Sequence, residues 1–392
     1  MNPVICSIAR TPIGRFSGAF TPLTAMDLGG VAIEAALERA GLQPQQLDEV
    51  LFGHVIQAGQ GQITARQAAR KAGVPMTVPA TVINKVCLSG MTAIAEATRH
   101  IRLGEATFVV AGGMESMTNA PYLVPNARLG LRMGDGALVD SLNNDGLWCA
   151  FDHCIMGESS DNKNTLLGIN REEQDEWAAA SQARALAAAT AGAFDDEIVP
   201  VTVPQRRADP LIVTKDEGIR PGTDAASLAK LRPAFSADGT VTAGNASQIS
   251  DGAAAVLVAD HAAAEAAGLP ILAEVLAYGQ TAGPDATLHE RPAEALLIAL
   301  KRANLEVADL DLVEINEAFA SVALWSARML DIDHSKVNVN GGAVALGHPL
   351  GATGARITVS LINELRRRGG GIGGAALCGG GGQGDALIVK VF

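Results

Sequence analysis

Four residues in this 392-residue chain have the types and surroundings that covalent catalysis requires. Cys87 lies in NKVCLSGMTAIAEA, where Ser89 and Gly90 open a helical run. Free amides and the dipole at a helix start favour thiolate over thiol, which suits a nucleophile; the plainer alternative is a small buried hydrophobe. His348 lies in NGGAVALGHPLGATGAR, a glycine-rich turn whose exit is fixed by Pro349. A neutral imidazole there can take a proton from a thiol or hydrogen-bond a developing oxyanion, or it can be structural. Cys378 opens CGGGGQGDA, whose glycines can bring main-chain amides to a ligand oxygen without side-chain obstruction, or simply form a pliant turn. A second thiol at that point can shuttle a proton. Asn316, in EINEAFA, follows an apolar strand, and its amide can hold a water or a carbonyl, or cap a helix. Other chemistries lack their residues: there is no GxxxxGK[ST], HExxH or GxSxG pattern. Five cysteines, an odd number without a CxxC pair, argue against a disulfide framework and a metal site, and the adjacent His153 and Cys154 cannot both face one ion.

These residues need elements to bring them together, and an internal repeat supplies matching ones. Residues 36–50 read ALERAGLQPQQLDEV and residues 299–313 read ALKRANLEVADLDLV, agreeing at eight of fifteen positions with a constant offset of 263. Each copy is an Ala/Leu-rich helix, a break, a polar stretch around Leu-Asp, and an apolar strand. So long a period excludes a solenoid and implies a duplicated domain. In the first half, the apolar stretch 80–83 leads through Cys87 into a helix to about Leu103, then a strand over 107–110 that ends at Gly112-Gly113. In the second, 337–339 leads through the His348 turn into a helix to about Arg368, then a strand over 374–377 that ends at Cys378. Position 350 is the counterpart of Cys87, two residues from His348, so the reactive residues occupy matching strand-to-helix turns. Residues 120–244, with irregular Pro, Asn, Asp and Arg, read as an insertion. The expected division is residues 1–119 plus 245–272 for the first domain, 120–244 for an inserted loop domain, and 273–392 for the second domain. Strands alternating with helices make the class α/β, in which ligands favour the carboxyl ends of strands.

Composition narrows the partners. Hydrophobic residues make up 48% and aromatics only 4%, so the core is close-packed Ala, Val, Ile and Leu rather than a disordered polar chain. Gly, at 43 residues, exceeds the usual ~7%, which points to many sharp bends or close backbone approaches. A net charge of −12 without a basic run disfavours nucleic acid, so an anionic ligand must meet a local patch. The longest apolar runs, such as residues 253–259, fall far short of the ~20 needed to span a bilayer. With no signal or transit pattern at the start, a cytoplasmic protein is expected.

Taken together, in this order and spacing, NKVCLSGM, NEAFA, GGAVALGHPLGATGAR and CGGGGQG resemble the thiolase family. ARTPIGRFSG, AGGMESM and TAGNASQISDGAAA extend the resemblance over nearly the whole chain, and the wording is most similar to the biosynthetic branch. The resemblance implies two similar α/β domains layered αβαβα with an inserted loop domain. It also implies an acetyl-CoA C-acetyltransferase activity: Claisen condensation of two acetyl-CoA to acetoacetyl-CoA and CoA, and the reverse thiolysis, through an acyl-cysteine. In that reading Cys87 accepts the acyl group, His348 activates it, Cys378 is the acid/base for the second substrate, and Asn316 holds a water. That water and His348 form one oxyanion hole, and the amides of Cys87 and Gly380 form another. Arg220, Ser227, Ala243 and Ser247 are implied in coenzyme A binding; Arg206 and Arg207 are candidates on charge alone, and a solvated surface pair is the simpler reading for them. No metal and no resident cofactor are implied, since coenzyme A thioesters are substrates. A homotetramer is implied, with residues 122–136 in subunit contacts.

Two departures bear on the acyl chain. Ile155 stands before Met156-Gly157 where biosynthetic relatives often have His, and Leu288-His289-Glu290-Arg291-Pro292 replaces an M-G-x-G-P run. A 3-ketoacyl-CoA thiolase of broader chain length is therefore the alternative within the family. A non-catalytic acyl-CoA binding protein and a cysteine hydrolase are alternatives of other classes.

Overall fold

The computed structural model describes residues 2–392. The strands that matter for the site are β1 (Pro3–Arg10), β2 (Glu49–Gly53), β3 (Ala80–Ile83), β4 (Phe108–Ser116), β5 (Ser250–Asp260), β6 (Ala273–Ala282), β7 (Leu312–Ile315), β8 (Gly371–Gly379) and β9 (Gln383–Val391). They pair in the order β7-β8-β9-β6-β1-β5-β4-β2-β3, with the two-residue strand Gly14–Arg15 added against β5. The order is a mirror about β6 and β1: β2, β4, β5 and β1 of the first half correspond to β7, β8, β9 and β6 of the second. An isolated parallel bridge between Val313 and Val337 stands where β2 pairs with β3. The halves join through a short register, Val4 with Glu274 and Ile5 with Ala273.

The longer helices are α1 (Ala25–Ala40), α2 (Thr64–Lys71), α3 (Ser89–Leu103), α4 (Met156–Leu167), α5 (Arg171–Thr190), α6 (Arg291–Ala303), α7 (Ala320–Met329) and α8 (Thr353–Arg367). Alternation along β5 shows how they layer. Ala253, Ala255, Leu257 and Ala259 join a core with α1 and α2, whereas Ala254, Val256 and Val258 join a second core with α3 and α8. Both faces of the strand are covered, which is why it reads as an unbroken apolar run rather than alternating polar and apolar. In the second half, Leu387 and Val389 of β9 face the same central core, and Ala386 and Ile388 face α6 and α7. The result is five layers with α3 and α8 in the middle, the αβαβα arrangement.

Repeat positions that differ in identity agree in conformation. Helix α1 ends on Gly41 at φ +75 and α6 ends on Asn304 at φ +55, both left-handed, and these are the two residue types that tolerate that cap most readily. Each is followed by a single 3-10 turn, Pro44–Gln46 and Val307–Asp309. Helix α1 also starts on a reciprocal cap, Thr24 with Asp27, an arrangement worth about 1 kcal/mol.

The strands are longer than the sequence suggests. β4 does not stop at Gly112-Gly113 but runs on to Ser116, and β8 spans Gly371–Gly379, so Cys378 is a strand residue rather than the start of a loop. The reason for β4 is a close approach: a Cβ at Gly113 would sit 1.9 Å from the carbonyl oxygen of Gly351. Gly53 and Gly90 face the same oxygen, at 2.6 and 2.8 Å from their would-be Cβ atoms. These glycines mark where the second half's turn is inserted into the first half.

Candidate active site

Cys87 occupies a tight corner between β3 and α3. Ser89 ties the corner: its Oγ accepts from Lys85 N at 2.8 Å and donates to Val86 O at 2.6 Å. Val86, with Asn84 Oδ1 accepting from its N–H at 3.1 Å, has φ +51. A β-branched residue in the left-handed region stores strain of order 1–3 kcal/mol, and such strain collects where a neighbouring side chain must be aimed. The backbone amides of Gly380, from the turn between β8 and β9, and of Cys87 itself favour the Cys87 thiolate and so lower its thiol. Gly379 and Gly380 lie against Leu88 and Val86, so the glycine-rich turn of the second half rests directly on the corner.

The protonation state reverses the expectation drawn from the helix start. Burial pushes the Cys87 thiol up to about 12, and the two amides only partly offset this. Desolvation outweighs the dipole, so the resting sulfur is a thiol and needs a base. Cys378 is 1% exposed; burial raises its thiol first, and the neighbouring Cys87 raises it further.

His348 is held at two points. Its N–H donates to Gln248 O at 3.0 Å, and the Gln248 side chain donates in turn to Val344 O, Ala345 O and Gly218 O. Its Nδ1 is 2.6 Å from Thr353 Oγ1, whose own proton goes to Pro349 O at 2.9 Å. With that proton committed, Thr353 accepts from Nδ1–H, and Nε2 carries the lone pair. Nε2 is buried and finds no partner among the described residues. Burial, with a smaller contribution from Arg356, lowers the imidazole to about 3, so it rests neutral.

Asn316 follows β7 and is fully buried; its N–H donates to Ala376 O at 2.9 Å. Both atoms of its side-chain amide are unpartnered among the described residues. It caps nothing, since α7 begins at Ala320 behind Phe319.

A cavity of about 790 Å³ reaches His348. Its wall includes Met117 and Leu350, from the apolar cluster of Cys87, and Phe319 and Ala246, from that of Cys378. Arg220, Ala243 and Ser247 line it, whereas Ser227 does not: its hydroxyl donates to Asp224 O at 2.7 Å within a reciprocal cap of the short helix Ala225–Leu228. Ile155 lines the cavity, and Leu288 shares the Cys378 cluster. Arg206 and Arg207 are exposed and away from it.

Sequence reasoning missed Thr353 and Glu115. Glu115 is fully buried and accepts from Val55 N and Ile56 N, both at 3.1 Å, and from Gly351 N at 2.9 Å, fastening the His348 turn to the first half. A lone carboxylate at the end of an otherwise apolar strand was the available signal. Thr353, five residues after His348 at a helix start, had no such signal.

The fold has close counterparts. Residues 3–262 match the profile of the thiolase N-terminal domain and residues 269–391 that of the thiolase C-terminal domain. The chain belongs to the thiolase family. It is 52% identical over 387 residues to a probable acetyl-CoA acetyltransferase of Mycolicibacterium smegmatis, covering 99% of this chain and 100% of that one. It is 50% identical to the acetyl-CoA acetyltransferase of Pseudomonas aeruginosa, over 98% of each chain. The crystal structure of the Bacillus anthracis acetyl-CoA acetyltransferase superposes with a TM-score of 0.97 at 43% identity, covering 100% of this chain and 99% of that one.

Proposed function

We propose that the protein is an acetyl-CoA C-acetyltransferase that condenses two acetyl-CoA to acetoacetyl-CoA and CoA and catalyses the reverse thiolysis. The observation that carries this reading is the glycine turn after the second thiol, Cys378, resting on Leu88 and Val86, the two residues that flank Cys87. A hydrolase has no use for a second buried thiol, and an acyl-CoA binder has no use for either. The Cys87 proton passes to His348 Nε2 as the sulfur attacks the acetyl carbonyl, and His348 returns it to the departing CoA sulfur. The amides of Cys87 and Gly380 receive the oxyanion, donors of a kind worth a few kcal/mol each. His348, neutral again, takes the Cys378 proton, and the resulting thiolate takes a proton from the methyl carbon of the second acetyl-CoA. Its raised affinity for protons makes that thiolate a strong base, and the thiol is the acid needed in reverse. Asn316 and His348 stabilise the enolate, through a water held by the unpartnered amide. The carbanion attacks the acetyl group on Cys87, the thioester bond to Cys87 breaks, its sulfur takes the proton back from His348, and acetoacetyl-CoA forms.

Coenzyme A enters along the cavity past Arg220, Ala243 and Ser247, as substrate rather than resident cofactor, and the site needs no metal. Ser227 contributes only through its cap. The reading extends to a cytoplasmic homotetramer. Support for the tetramer comes from apolar side chains left open on the stretch of residues 122–136, among them Tyr122, Leu129, Leu131 and Met133. Apolar Ile155 on the cavity wall favours a second reading, a thiolase of broader chain length serving fatty-acid breakdown. Brief exposure to labelled acetyl-CoA followed by peptide mapping is expected to find the label on Cys87, and label on another residue defeats the assignment. Comparison of kcat/KM for acetoacetyl-CoA with longer 3-ketoacyl-CoA separates the two readings, and preference for the longer chains selects the second.

A further inference from the structure

We infer that Lys85 and Asp385 form a clamp between the two halves that positions Cys87 against the Gly380 amide, an inference that rests on the reading of Cys87 as nucleophile. Lys85 Nζ is 2.7 Å from Asp385 Oδ1. Thr92 Oγ1, from α3, donates to the other carboxylate oxygen at 2.8 Å. Asp385 is fully buried, and the Lys85 side chain is 21% exposed.

The ends of this link are what make it more than a buried ion pair. Lys85 is two residues before Cys87, and its own N–H is part of the Ser89 hydrogen bonding that closes the strained corner. Asp385 stands opposite Leu377 in the β8–β9 register, one step from the pairing of Cys378 with Gly384. The bond thus joins the corner of the nucleophile to the hairpin that carries Cys378 and supplies the Gly380 amide. Thr92 brings in the first turn of α3, so three elements converge on one carboxylate. A desolvated carboxylate needs its cation, which makes the link stiff rather than optional. Tyr278 OH and Gln280 Oε1, at 3.4 and 3.5 Å from Nζ, complete the surroundings of the ammonium on the second half's side. Lys85 and Asp385 touch no substrate in this arrangement; they are positioning residues.

The test compares wild type with Lys85→Met, Asp385→Asn and the double variant, measuring Tm, kcat and KM for thiolysis of acetoacetyl-CoA, and hydrogen exchange of peptides covering residues 84–89 and 378–382. Each single variant is expected to lose about ten- to a hundredfold in kcat, the scale set by misplacing reacting groups by about an ångström, with KM within about twofold. Exchange should rise in those two peptides. The double variant, which leaves no unpaired charge, should recover Tm relative to Lys85→Met but not kcat. A double variant that regains wild-type kcat along with its Tm would show a purely structural pair and overturn the proposal. So would unchanged exchange in both peptides, a readout independent of which thioester the enzyme uses. Absence of thiolysis in wild type itself would instead strike the functional reading, leaving the exchange result to decide the clamp.

Discussion

In the first half, five residues separate β3 from α3, and Cys87 is the fourth of them. In the second half the matching path from the Val337 bridge to α8 takes fifteen residues and contains a short helix, Ala343–Leu346, and a 3-10 turn, Leu350–Ala352. The two corners began as copies and now do different work. The short one holds a sulfur rigidly at a helix start, whereas the long one reaches across the interface until the Gly351 carbonyl meets Gly53, Gly90 and Gly113 of the other half. Each corner is also fastened by a carboxylate from the opposite half: Glu115 accepts from Gly351 N, and Asp385 holds Lys85. Duplication thus supplies two converging corners, and divergence in their length gives them different shapes.

The sharpest way to break this comparison is to remove one sulfur at a time. Cys87→Ser should lose more than about 10⁴-fold in turnover, as expected when a nucleophile is removed from a group that acts as a unit. Cys378→Ser should still become acetylated on Cys87 but fail to condense, as read by single-turnover labelling beside steady-state rates. If Cys378→Ser condenses normally, the two thiols have no division of labour. A smaller effect is expected at the base corner. Thr353→Val leaves His348 Nδ1 without its acceptor, freeing the ring to turn, and should cost about ten- to a hundredfold in kcat with little change in KM for CoA. An unchanged kcat would show that burial alone orients the imidazole.

The smallest effect is one of stability with pH. Burial holds folded His348 at about 3, below the ordinary ~6.5 of the unfolded chain, so below pH ~6.5 the unfolded state binds a proton that the folded state refuses. Its contribution to stability is present at neutral pH and lost progressively as pH falls toward 3. Between pH 7 and pH 5 this amounts to about 2 kcal/mol. His348→Asn should therefore lose less stability than wild type over that interval, compared by denaturant unfolding at the two pH values. Equal losses would mean that His348 is not held neutral by its surroundings.

Much of the frame was legible from residue order. The repeat at residues 36–50 and 299–313 became matching helices, left-handed caps and 3-10 turns, because those features depend on local pattern and on which residues tolerate positive φ. Cys87, His348, Cys378 and Asn316 could be singled out because glycine, proline and helix-start signals surround them. The charge state of Cys87 could not be, since a helix start argues locally for thiolate while burial, a property of the packed molecule, argues more strongly for thiol. Glycines read as the end of β4 were instead room for a carbonyl more than two hundred residues away. Ser227 lies outside the cavity because its hydroxyl is spent on its own turn.

Sequence by itself determined the class and the duplication and marked Cys87, His348, Cys378 and Asn316 as candidates, since these follow from composition, periodicity and short-range stereochemistry. Only the tertiary structure decided how those residues are arranged: the glycine turn at Gly379 and Gly380 against the Cys87 corner, the bare Nε2 of His348, and the carboxylates of Glu115 and Asp385 crossing between halves. Desolvation and long-range hydrogen bonding depend on which chain segments exclude water from each other, and that is settled when the halves dock.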